Sequence, residues 1–170
     1  MRISKILFPL ATGVLLALPM ASIAQDRGVN EVFGSLAYTD IGDASTTSID
    51  ISYGRYLTPQ HELGVSFGYM DADYDGLGSV DGTTLGAFYQ FNFDSGADMV
   101  PFIGADVAYI GGDLGDAYEW GYGATAGIKY YPYEHVGVLM GVSYMNMVGA
   151  ENYIDDEDGF NVNVGLSLRF

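Results

Sequence analysis

The sequence predicts an all-β chain: an eight-stranded antiparallel up-and-down transmembrane β-barrel. Three observations carry this. Apolar and small polar residues alternate with period two in eight successive segments, the signature of strands whose two faces meet different surroundings. The segments are about ten residues long, the length a tilted barrel strand needs to cross a bilayer. Their connections alternate between short turns and mostly longer loops, as in barrels with one plain rim and one elaborated rim.

The chain starts with a different pattern. Arg2 and Lys5 precede an apolar run from Ile6 to Leu18, and Ser22-Ile23-Ala24 puts small residues at the positions a signal peptidase reads. Residues 1–24 are expected to be a secretory signal peptide. The run is short for a helical span, and a cleavage site follows it directly. Residues 25–170 are expected to form the barrel as a single domain.

The last strand shows the alternation best. Phe160, Val162, Val164, Leu166, Leu168 and Phe170 share one face, and Asn161, Asn163, Gly165, Ser167 and Arg169 share the other. A helix would scatter both sets around its axis. The other strands, read the same way, fall near residues 30–39, 47–57, 62–71, 82–93, 99–110, 117–131 and 136–147. Short turns are expected at 58–61, 94–98 and 132–135, and longer loops at 40–46, 72–81, 111–116 and 148–159. An even strand number brings both termini to one side.

Composition decides which face looks out. The 170 residues include 24 Gly, 14 Tyr and no Cys, with 6 Lys+Arg against 22 Asp+Glu and a formal net charge of −16. Without cysteine there is no disulfide framework and no thiolate metal site. The acidic balance argues against nucleic acid as a partner. Beyond residue 24 the basic side chains are Arg27, Arg55, Lys129 and Arg169, too few to dress a water-facing barrel exterior. The polar face is mostly Gly, Ser, Thr, Asn and Gln, which suits the narrow lumen of eight strands. Aromatic residues gather toward strand ends, among them Tyr38, Tyr56, Tyr69, Tyr89, Phe91, Phe93, Tyr109, Trp120, Tyr131 and Tyr133, as girdles at two interfaces require.

Parity then places the charges. Glu31, Glu62, Lys129 and Arg169 point inward near one end, and Asp50, Asp106 and Glu119 point inward higher up. Strands one and eight meet at the closure, so Arg169 with Glu31, and Lys129 with Glu62, are expected pairs in a polar plug. Wet side chains at the barrel mouth are the alternative. Arg55 has outward parity, close to the rim. Phe33, Phe88, Phe102, Leu139 and Met145 have inward parity and either fill the lumen or line an apolar pocket.

The signal peptide, the eight alternating strands, the acidic loops and the final Leu166-Ser167-Leu168-Arg169-Phe170 together resemble the small outer-membrane barrels of Gram-negative bacteria, the family of OmpX and the OmpA transmembrane domain. The resemblance implies a bacterial outer-membrane location with both termini periplasmic. It implies outer-membrane lipid and lipopolysaccharide as surroundings. It also implies that Phe170, with Leu168 and Leu166 at alternate positions, is read by the barrel-assembly machinery. The related OmpW family suggests the runner-up reading, a narrow channel or binding barrel for small apolar solutes.

The remaining candidates lie in the loops. Asp40, Asp43, Asp71, Asp73, Asp75, Asp81, Asp113, Asp116, Glu119, Glu151, Asp155, Asp156, Glu157 and Asp158 sit in or beside the four longer connections and are expected to face the cell exterior. Asp71-Ala72-Asp73-Tyr74-Asp75-Gly76 matches the first half of a calcium loop, where alternate carboxylates converge on a hard cation. Its second half fails, because Gly82 stands at the twelfth position. Asp71, Asp73 and Asp75 are therefore weak metal candidates, and no cofactor is expected. His61 and His135 fall in short turns, far from the long loops, so catalysis is not expected. The favoured function is a non-enzymatic envelope protein that presents acidic loops for envelope stability, adhesion or surface interaction.

Overall fold

The computed structural model describes residues 28–41, 44–74, 78–93, 98–149 and 156–170. The expected signal peptide, and Asp43, Asp75, Glu151 and Asp155, lie outside them. Eight strands run in chain order: β1 (Asn30–Ile41), β2 (Ala44–Tyr56), β3 (His61–Tyr74), β4 (Gly78–Asn92), β5 (Met99–Gly111), β6 (Tyr118–Tyr133), β7 (Val136–Gly149) and β8 (Glu157–Arg169). Each pairs antiparallel with the next, and β8 returns to β1, closing the barrel. Asn30 and Phe170 exchange both backbone hydrogen bonds, so the two ends of the barrel chain share one rim, here called the lower rim.

The strands run further than their apolar alternation suggests. The β1–β2 ladder continues to Ile41 opposite Ala44, through residues expected to be loop. The β3–β4 ladder continues to Tyr74 opposite Gly78, so Asp71 faces Asp81 and Asp73 faces Ser79 within a sheet. Backbone pairing persists there after the outward face stops being apolar, because a ladder needs only paired backbone groups. Gly78 starts β4 at φ 95°, a left-handed conformation glycine adopts without steric cost. The expected loop at 111–116 holds a helical turn, α1 (Asp113–Ala117), entered through Gly112 at φ 76°. Near it, β6 bulges between Tyr118 and Trp120. Glu119 is the extra residue there and is exposed, so the expected inward placement is corrected. A bulge breaks the period-two count on which parity depends.

The outer face is apolar. Leu36, Leu85, Val107, Val142, Val162 and Leu166 are exposed, as are many neighbours of the same parity. Aromatic pairs mark both ends of this band. Tyr109 stacks edge-on with Trp120 at 5.5 Å between ring centres toward the upper rim. Phe91 meets His61 at 5.3 Å and Phe93 at 5.1 Å toward the lower rim. Arg55 is exposed next to the lower rim, as its parity predicts.

Aromatic side chains of inward parity lie over glycines of adjacent strands. A Cβ added at Gly64 would run into the Phe88 ring. One at Gly127 would meet Phe102 at 2.7 Å, and one at Gly165 would meet Phe33 at 2.6 Å. These rings fill the lumen above the lower rim. Of the side chains considered for an apolar pocket, Phe102 and Leu139 are buried, and Phe33, Phe88 and Met145 are half-buried.

Candidate functional site

Below the phenylalanine layer, strand geometry brings six polar side chains from five strands to one point. Glu31 comes from β1, Tyr56 from β2, Glu62 from β3, Lys129 and Tyr131 from β6, and Arg169 from β8. Lys129 Nζ lies 2.8 Å from Glu31 Oε2 and 2.6 Å from Glu62 Oε2. It also donates to Tyr56 Oη at 3.2 Å. Tyr56 donates in turn to Glu31 Oε2 at 2.9 Å, and Arg169 donates to Tyr56 Oη at 3.1 Å. Tyr131 and Ser167 donate to the other Glu31 oxygen. The Arg169 guanidinium lies over the Tyr131 ring, 3.3 Å from its centre.

Burial makes this cluster an obstruction. Lys129 and Tyr56 are each 1% exposed, and Glu62 is 2% exposed. Two carboxylates oppose two cations, so the charges cancel. A buried charge persists only when paired and hydrogen-bonded, and each carboxylate here has a cation and further donors around it. Chemically the arrangement can block ions and water. It can also tie strands far apart in sequence into one ring.

The structure joins Lys129 to Glu62, as expected, and adds Glu31 to the same ammonium. Glu31 and Arg169 stand directly opposite in the β1–β8 register, while Arg169 engages the rings and hydroxyl of Tyr131 and Tyr56. Tyr56 and Tyr131 correct the expected girdle: both are interior. The signal was present, since Tyr56 shares parity with Ser48, Asp50 and Ser52, and Tyr131 with Lys129. Parity, not proximity to a strand end, separates the lumen from the girdle at these two positions.

Asp50 and Asp106 project inward at mid-height, as parity predicts. The Asp50 carboxylate lies over Gly68, where an added Cβ would come within 2.7 Å of Oδ1, and the Asp106 carboxylate lies over Gly123. Asp71 and Asp73 sit on extended β3 near the upper rim. Among the described residues, no group of three or more His, Asp or Glu side chains converges as a metal site. His61 Nδ1 lies 2.6 Å from Tyr89 Oη on the outer face, and His135 Nδ1 lies 3.1 Å from the Arg169 carbonyl at the lower rim.

No protein-family model and no curated protein sequence matches the chain. Solved structures do match in fold. Neisserial surface protein A (NspA) superposes with a TM-score of 0.60 at 18% identity, over 84% of this chain and 94% of that one. The N-terminal β-barrel domain of Pseudomonas aeruginosa OprF gives 0.57 at 17% identity, over 85% and 98%. The outer membrane protein OprG of Pseudomonas aeruginosa gives 0.53 at 14% identity, over 86% and 98%. The chain has the fold of the small eight-stranded outer-membrane barrels.

Proposed function

We propose that the chain is a non-enzymatic integral protein of the bacterial outer membrane, a barrel closed at its lower end that holds acidic loops at the cell surface. The lower rim with both termini faces the periplasm, and the upper rim faces outward. The buried ring around Lys129 carries this reading. A barrel whose lumen is filled by Phe102 and sealed by a neutral ion cluster is built as an anchor rather than as an open pore. The apolar exterior supports membrane insertion. The position of both histidines, one on the outer wall and one in a lower turn, supports a role without catalysis. Phe170 is 65% exposed at the end of β8, which supports its being available to the assembly machinery. The upper-rim acids, including Asp71, Asp73 and Asp81, would meet lipopolysaccharide and its divalent counterions.

Planar-bilayer recording of the purified protein, paired with deletion of the β7–β8 connection, tests the proposal. The expected result is no steady large conductance, with weakened envelope integrity or surface binding on loop deletion. A steady open-pore conductance, or a deletion that leaves both surface properties intact, counts against it.

A further inference from the structure

The β1–β8 seam is only partly closed. Its ladder runs from Glu31 opposite Arg169 to Gly34 opposite Leu166 and stops there. Yet β1 continues to Ile41, and β8 begins at Glu157. The neighbouring β2–β3 ladder, by contrast, is paired from Tyr56–Glu62 up to Ala44–Tyr74. At the last rung the backbones touch closely: an added Cβ on Gly165 would strike the Gly34 carbonyl and the Phe33 ring. Directly above opens a cleft of about 430 Å³, lined by Gly34, Ser35, Leu36, Asp50, Val164 and Leu166, among others. That volume falls within the roughly 300–1,000 Å³ of small-molecule sites.

The cleft crosses the barrel wall. Leu36, Val164 and Leu166 have outward parity and meet the lipid side, whereas Ser35 and Asp50 have inward parity. Backbone direction sharpens the point. Asn30 and Phe170 both point their N–H groups across the seam, so Leu36 and Val164, of the same parity, point theirs into the gap. The outer side of the cleft is apolar and its inner side polar, so a matching occupant is apolar at one end and polar at the other. The inner end holds the Asp50 carboxylate, bonded only loosely by the Ser35 hydroxyl at 3.4 Å. Among the described residues, Arg55, Lys129 and Arg169 all lie toward the lower rim, so this end of the cleft is electronegative.

We propose that the open seam is a lateral binding slot for a single-chain cationic amphiphile. Its tail lies between Leu36 and Val164–Leu166, and its ammonium group reaches Asp50. The slot rests on reading the chain as a membrane barrel. It adds a ligand class and a route from the lipid phase that does not pass the sealed lower end.

The test uses the mature chain in lipid nanodiscs, titrated with dodecylamine and, separately, dodecanol, while backbone amide shifts are followed by NMR. Saturable shifts are expected at Ser35, Leu36, Val164 and Gly165. Dodecylamine should bind about tenfold more tightly than dodecanol, the contrast expected of a charge-assisted bond over a neutral one. Asp50→Asn should erase that preference while leaving the barrel spectrum intact. A Leu36→Cys/Val164→Cys disulfide should abolish the saturable shifts, and reduction should restore them. The chain has no cysteine of its own, so the staple is the sole thiol pair. Shifts that grow linearly with amphiphile, or that survive the staple, overturn the slot. Equal affinity for amine and alcohol overturns the cationic assignment. Concentration-dependent protection of the seam amides without amphiphile assigns the seam to a second copy of the chain instead. A mature chain that stays folded and monomeric without detergent overturns the membrane reading itself.

Discussion

At the scale of single residues, the protein depends on groups that would be intolerable alone. Lys129 offsets two carboxylates that come from strands lying beyond local contact in sequence. Its replacement by Met leaves Glu31 and Glu62 buried without their ammonium partner. Breaking a buried pair in this way costs about 3–5 kcal/mol, whereas replacing the whole charged set by neutral groups of similar size is often neutral. Lys129→Met should therefore lower the denaturant midpoint of refolded protein sharply, and a quadruple variant that also carries Glu31→Gln, Glu62→Gln and Arg169→Gln should recover most of the loss. If the single variant unfolds at the wild-type midpoint, the cluster is a wet mouth rather than a seal. The lumen glycines give a second contrast. Gly64→Ala forces a methyl group into the Phe88 ring and the Tyr53 carbonyl, and overpacking of this kind costs about 1–3 kcal/mol. Gly159 has open space around its Cβ position and no positive φ. Ala there should be neutral, or stabilise by up to about 1 kcal/mol by stiffening the unfolded chain. Parallel urea titrations of the two variants check the difference.

At the scale of strands, period-two alternation made the existence and facing of all eight legible. It failed at their ends, for a reason visible at β3 and β4. Above Tyr69 the outward positions are Asp71 and Asp73, which look like loop to a test based on hydrophobicity. The ladder needs only paired backbone, and a carboxylate on the outer face does not interrupt it. The turn of helix at Asp113–Ala117 was equally hidden, since five residues are too few for a 3.6-residue period to declare itself. Tyr56 and Tyr131 depart from the expected girdle because an aromatic near a strand end fits either a girdle or a lumen, and only parity separates the two. The β1–β8 seam was legible only at its lower end, where Glu31 faces Arg169, and the length of its ladder was not. Consecutive strands inherit their register from the turn between them, but the closing pair has no turn, and its register follows from the ladders accumulated around the barrel. That difference gives a prediction. Leu36, Val162 and Val164 point their amides across the unpaired part of the seam, whereas Val32 and Leu168 point theirs into the ladder. Hydrogen exchange in the membrane-embedded protein should be fast at the first three and slow at the last two. Ala37 and Asn163, which face β2 and β7, should remain protected. Uniform protection along β1 would mean that the seam zips shut.

At the scale of the whole molecule, one choice of facing connects the apolar wall, the buried ion cluster and the partly paired seam: apolar side chains outward, small and polar ones inward. The molecule carries its own probe of that choice. Trp120 is the single tryptophan, 50% exposed on the outer wall and stacked on Tyr109 beside the upper rim. An indole in that position belongs at the membrane interface, with its ring against lipid and its N–H near water. Brominated lipids should therefore quench its fluorescence when the protein is inserted. Bromines placed just below the headgroups should quench more strongly than bromines near the bilayer centre. An inside-out barrel would bury the same indole in the lumen, away from both sets of bromines, and quenching would be weak and independent of depth. A water-soluble quencher adds the complementary reading, since a shallow indole at the rim stays partly accessible to it from outside a sealed vesicle. Strong shallow quenching with that partial access would fix the facing of β6. The ladders that join β6 to its neighbours, β5 at Tyr109–Trp120 and β7 at Trp120–Val148, carry the same facing around the wall.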